Sequence, residues 1–72
     1  MAKALTSRET EVLAMLANGA AISKIADAFD ITERSVRAHL QMIIEKLNVN
    51  DDAQAVAAAL RDGIIPARGR ES

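Results

Sequence analysis

The 72-residue sequence has no cysteine, tryptophan or tyrosine, and a single phenylalanine, Phe29. Without thiols there are no disulfides and no Cys-ligated zinc, the usual supports of small secreted domains, so a reducing, cytoplasmic setting is expected. Without aromatic pairs, the apolar half of the chain must build its core from Leu, Ile, Val and Ala, which points to packed helices. One histidine, His39, leaves too little for paired metal ligands or a His-dependent triad, and Ser7, Ser23 and Ser35 have no base to activate them. No enzyme, metal site, cofactor or small-molecule ligand is expected. Apolar runs fall well short of the ~20 residues that span a bilayer, and Met1-Ala2-Lys3-Ala4 lacks the apolar stretch of a signal peptide, so no membrane role is expected. Positive charge is not in excess either. Nine Lys and Arg stand against ten Asp and Glu, for a net charge of -1, which runs against the simplest pattern of a nucleic-acid binder.

Helix punctuation is plentiful. Thr6-Ser7-Arg8-Glu9 reads as a capping box, and Val12, Leu13 and Leu16 follow at one-face spacing before Asn18-Gly19, which predicts a helix over about 7–18. Ile22, Ile25, Ala26 and Phe29 form one apolar stripe and predict a second, short helix. Thr32 is a good N-cap for a third that starts at Glu33, with Val36, Leu40, Ile43 and Leu47 inward and Arg37, Ala38, Gln41, Ile44 and Glu45 outward. Met15 and Met42 are expected to fill gaps in the core. Asp51 and Gln54 repeat the capping-box pattern ahead of an Ala-rich fourth helix that runs to Leu60 or Arg61 and stops at Gly63. Ile64-Ile65 is expected to fold back on the core. The fold class is therefore all-α, a single four-helix domain over 1–66, with 67–72 as a disordered tail.

The second and third helices, joined by about three residues, have the spacing of a helix-turn-helix. Ala26 supplies the small residue needed where the two helices cross, Val36 packs back on it, Ile31 fills the turn, and Asp30 stands where Gly is usual. Across the chain, Leu5-Thr6-x-Arg8-Glu9-x-Glu11-Val12-Leu13, Gly19, Ile25-Ala26, Ile31-Thr32, Ser35-Val36-Arg37-x-His39-Leu40, Ile43, Lys46-Leu47-x-Val49 and Gln54-Ala55-Val56 resemble the LuxR/GerE family of helix-turn-helix domains. That resemblance implies a four-helix (tetrahelical) domain of a bacterial transcriptional regulator, with the third helix in the major groove of double-stranded DNA and the fourth as a dimerisation surface.

In that role Arg37 can pair with guanine O6 and N7, Gln41 with adenine, and Ala38 with a thymine methyl, at positions that match the family's base readers. Thr32, Arg34 and Ser35 are expected to hold phosphates at the helix start, with Lys24 and Lys46 as further phosphate contacts. His39 is expected to pack and hydrogen-bond at the edge of the core. Ala53, Val56, Ala57 and Leu60 fall on one face of the fourth helix and are expected to join two copies as a homodimer, at least on DNA.

Two positions depart from the family pattern. Ser23 stands in place of a common phosphate-contacting Lys, with Lys24 about 100° further round the helix, and Asp52 stands in place of an Arg. Each lost phosphate contact lowers the salt slope of binding by roughly 0.9. An alternative expectation follows: a helix-turn-helix domain used mainly for protein interaction or dimerisation, with weak or no DNA binding.

Overall fold

The computed structural model describes residues 4–66, which form α1 (Ser7–Ala17), α2 (Ile22–Phe29), α3 (Glu33–Leu47) and α4 (Asp52–Arg61), with no strand among them. The expected tail at 67–72 lies outside the described residues.

Each boundary has a local cause. The Thr6 hydroxyl accepts from the Glu9 N–H at 3.1 Å, and the Glu9 carboxylate accepts from the Thr6 N–H at 2.9 Å, which closes the expected capping box. α1 ends at Ala17, one residue before the expected end, and Gly19 turns the chain with φ 91°. Ala21 precedes α2 as its N-cap and offers no side-chain cap, and Asp30 ends it with a φ of 55°, the left-handed turn that Asp tolerates better than most residues. The Thr32 hydroxyl caps α3 through the Ser35 N–H at 3.0 Å, and Asn48 ends it at φ 58°. Asp51 caps α4 through the Gln54 N–H at 2.9 Å. Here the expected box is altered. The Gln54 side chain reaches past the cap and accepts from the Asn50 N–H at 3.0 Å, so it ties down the turn instead.

α3 packs against all three other helices, and α1 does the same, while α2 and α4 do not touch. The core therefore lies between α1 and α3. Val12, Leu13, Ile25, Val36, Ile43, Ala55 and Ala59 are fully buried, and Ala26 and Leu40 nearly so. Burial of Ala26 against Val36 and partial burial of Ile31 give the corner between α2 and α3 the packing that its spacing requires. α4 inserts Ala55, Ala58 and Ala59, whose small side chains let it lie close to α1 and α3. After Gly63 the Ile64 N–H donates to the Ala59 carbonyl at 2.8 Å, and Ile65 is buried, so the chain does fold back.

Two helix faces differ from the sequence expectation. Ile44, expected outward, is half-buried against the core, because α4 covers that side of α3. Met42, expected to fill a gap, is 47% exposed, because only the start of α1 lies beside it. Phe29, without an aromatic partner, is covered by the Arg8 guanidinium 4.5 Å from its ring centroid, a cation–π contact that links α1 to α2.

Candidate nucleic-acid interface

With its inner face buried, α3 presents an outward fan. At about 100° per residue the exposed positions run from Glu33 through Arg37, Gln41, Arg34, Glu45 and Ala38 to Met42, an arc of about 180°. The corner with α2 fixes the start of α3, so these side chains stand on a rigid element rather than a loop.

Arg34 and Arg37 are exposed, and among the described residues neither has a carboxylate within ion-pair distance. Both guanidiniums are thus available to a partner. Gln41 donates from Nε2 to Glu45 at 3.3 Å, which leaves its Oε1 open and one N–H free. Ala38 is exposed beyond Arg34, on the Met42 side of the fan. At the helix start, Thr32 already uses its hydroxyl on the Ser35 N–H, and the Ser35 carbonyl accepts from His39 Nδ1 at 2.7 Å. His39 is half-buried there, holding the first turns of α3 together as expected.

The expected phosphate contacts divide. Thr32, Arg34 and Ser35 lie together at the amino end of α3. Lys24 is exposed but borders a different hollow, beside Asp27 and Ala28, where α2 meets the end of α1. Lys46 is half-buried and turned toward α1. Its ammonium pairs with Glu9 at 2.7 Å, with side-chain exposures of 13% and 7%, and so stitches α3 to the start of α1. Burial pushes the Glu9 carboxyl up, yet the Lys46 and Thr6 donors together outweigh that and hold it below the usual glutamate range. The sequence shows Glu9 only as a capping residue, because its partner lies 37 positions away.

Carboxylates also flank the fan. Asp52 lines a shallow hollow with Arg37, Gln41 and Ile44 at the junction of α3 and α4, and Glu45 lies on the fan itself. They lower the positive potential of this face. On α4, Ala53, Ala57 and Leu60 are exposed and Val56 half-buried, so the four residues expected at a dimer contact share the outward side. Among the described residues there is no cluster of acidic or His side chains fit to hold a metal ion. None of the helices is long and apolar enough to cross a membrane.

Comparison with known proteins agrees with this architecture. The profile of "Bacterial regulatory proteins, luxR family" matches residues 3–59. The chain is 39% identical over 64 residues to the transcriptional regulatory protein DegU of Brevibacillus brevis, which covers 89% of this chain and 27% of DegU. It is 41% identical over 61 residues to the response regulator protein VraR of Staphylococcus aureus, covering 85% of this chain and 29% of VraR. The solved structure of the transcription factor GerE matches with a TM-score of 0.83 at 32% identity, over 89% of this chain and 97% of that one. The chain thus spans less than a third of the two curated relatives, and nearly all of the GerE chain. It is a four-helix, helix-turn-helix domain, and it belongs to the luxR family of bacterial regulatory proteins.

Proposed function

We propose that this chain binds double-stranded DNA sequence-specifically, as a bacterial transcriptional regulator or the output part of one, with α3 in the major groove. The observation that carries this reading is the exposed row Arg37, Ala38 and Gln41, whose guanidinium has no ion-pair partner among the described residues. Arg37 reads guanine, Gln41 reads adenine or another base that offers a donor to its open Oε1, and Ala38 meets a thymine methyl. Thr32, Arg34 and Ser35 hold phosphate at the start of α3, with Glu33 in the same turn opposing them. Lys24 adds a contact outside this cluster. The work is binding, not catalysis, and it takes place in the cytoplasm.

Two copies join through the outward side of α4, where Ala53, Val56, Ala57 and Leu60 let two helices approach closely. A second reading, a domain that mainly binds protein, is favoured by the carboxylates of Asp52 and Glu45 beside the reading row.

Titration of the isotope-labelled chain with random-sequence duplex DNA, at low salt and then at higher salt, separates the two. DNA binding gives amide shifts concentrated from Ser23 to Gln41 that collapse as salt rises, and Arg37→Ala weakens binding to a selected sequence by about 1–3 kcal/mol. An absence of shifts at low salt, or an Arg37→Ala affinity equal to wild type, rejects DNA reading by α3.

A further inference from the structure

We infer that Met42 is a specificity-determining residue, which together with Ala38 forms an apolar seat for the 5-methyl group of a thymine. This rests on the DNA reading above and extends it to a residue outside the row Arg37, Ala38 and Gln41.

Met42 and Leu60 are the two large hydrophobic residues exposed among those described, at 47% and 38%. A lone exposed hydrophobic residue is ordinary on a protein surface, so exposure alone assigns no role. Its position does. Met42 stands one turn beyond Ala38 and about 40° from it around α3, at the margin of the fan and about 140° from Arg37. With Arg37 at base edges on one side of the row, Met42 flanks the same groove on the other.

The surroundings decide what Met42 can take. With Thr6, Glu9, Ala38 and His39 it lines a shallow hollow between α3 and the start of α1. The polar walls of this hollow are largely committed. The Glu9 carboxylate is held by Lys46 at 2.7 Å and by the Thr6 N–H at 2.9 Å, the Thr6 hydroxyl accepts from the Glu9 N–H, and His39 Nδ1 faces the Ser35 carbonyl. A phosphate would meet the Glu9 carboxylate here and no unpaired cation. The exposed apolar groups of its lining are the thioether of Met42 and the methyl of Ala38. In the major groove the group that matches them is the thymine methyl, since the other base edges present hydrogen-bonding atoms. A thioether on a flexible, unbranched stem can settle on a methyl without a fixed angle.

The test removes that methyl and leaves every hydrogen-bonding atom in place. A preferred sequence is selected with the whole chain from random duplex DNA, and each thymine in it is replaced singly by deoxyuridine. Wild type loses about fourfold in affinity at the thymine under Met42, the ratio that corresponds to one methyl group taken out of water. Met42→Gln loses this discrimination and keeps the response at other thymines, while Met42→Leu retains it. Thermal melts of both variants confirm that the exposed site tolerates the change. Deoxyuridine effects equal in wild type and Met42→Gln overturn this inference alone, and a selected sequence without thymine under α3 overturns it together with the thymine contact of Ala38. A pool that yields no preferred sequence overturns the DNA reading and this inference with it.

Discussion

A carboxylate that is only 5% exposed remains charged because donors replace the water it has lost, and Glu9 has two on one oxygen, the Thr6 N–H and the Lys46 ammonium. The pair joins residues far apart in the sequence and fixes how α3 sits on α1. The Glu9 carboxyl in the fold is held below its ordinary value of 4.5, so its ionised form stabilises the fold. That stabilisation is fully present above the unfolded value and is lost as the pH falls through the folded one. Thermal melts of wild type and Glu9→Gln should therefore converge on acidification below about pH 4.5, with wild type the more stable at neutral pH. A constant gap between the two curves from pH 7 to pH 3 would show that the carboxylate charge contributes nothing. The same pairing commits the Lys46 ammonium to the contact between α3 and α1.

Three of the four helices begin with a side-chain cap, from Thr6, Thr32 and Asp51, and α2 does not. Ala21 holds the capping position with φ -74° and ψ 158°, a geometry that Ser adopts readily, and it is exposed. Ala21→Ser should add about 1 kcal/mol of stability, which corresponds to a rise in melting temperature of about 4–8 °C in a domain of this size. An unchanged melting temperature would mean that the first turn of α2 gains nothing from a hydroxyl. Caps are also what make the fold legible in the amino-acid sequence. Thr6 with Glu9, Thr32 with Ser35, and Asp51 with Gln54 act over three residues, so the sequence displays both partners at once. The apolar stripe of Val36, Leu40 and Ile43 is equally local. What the sequence hides depends on which neighbour covers which side of a helix. Ile44 is half-buried only because α4 lies over it, Met42 is open because only the start of α1 lies beside it, and Lys46 finds Glu9 only after α1 and α3 have packed. Arg37, Ala38 and Gln41 are legible as an outward row, whereas the carboxylate of Asp52 comes beside Arg37 and Gln41 only through the junction of α3 and α4.

At the scale of the whole molecule, charge limits what one copy can do. A net charge of -1 gives no long-range attraction to a polyanion, and the few cations on the α3 face are opposed by Glu33, Glu45 and Asp52. Local contacts must then carry DNA binding, and on the proposed reading a single copy would span only one turn or so of the major groove. The proposed pairing of two copies through α4 would convert the second contact into an intramolecular one, a gain of roughly 10²–10⁴ over one site. Leu60 is the residue to test, because it is 38% exposed on the outward side of α4 and contributes little to the core. Leu60→Glu places two like charges across a two-fold axis, where they repel. The variant should melt close to wild type and bind a duplex with one half-site as wild type does. On a duplex with two inverted half-sites its affinity should fall to the single-site value, while wild type keeps the gain. Equal binding of both proteins to the paired site would place the dimer contact elsewhere on the surface.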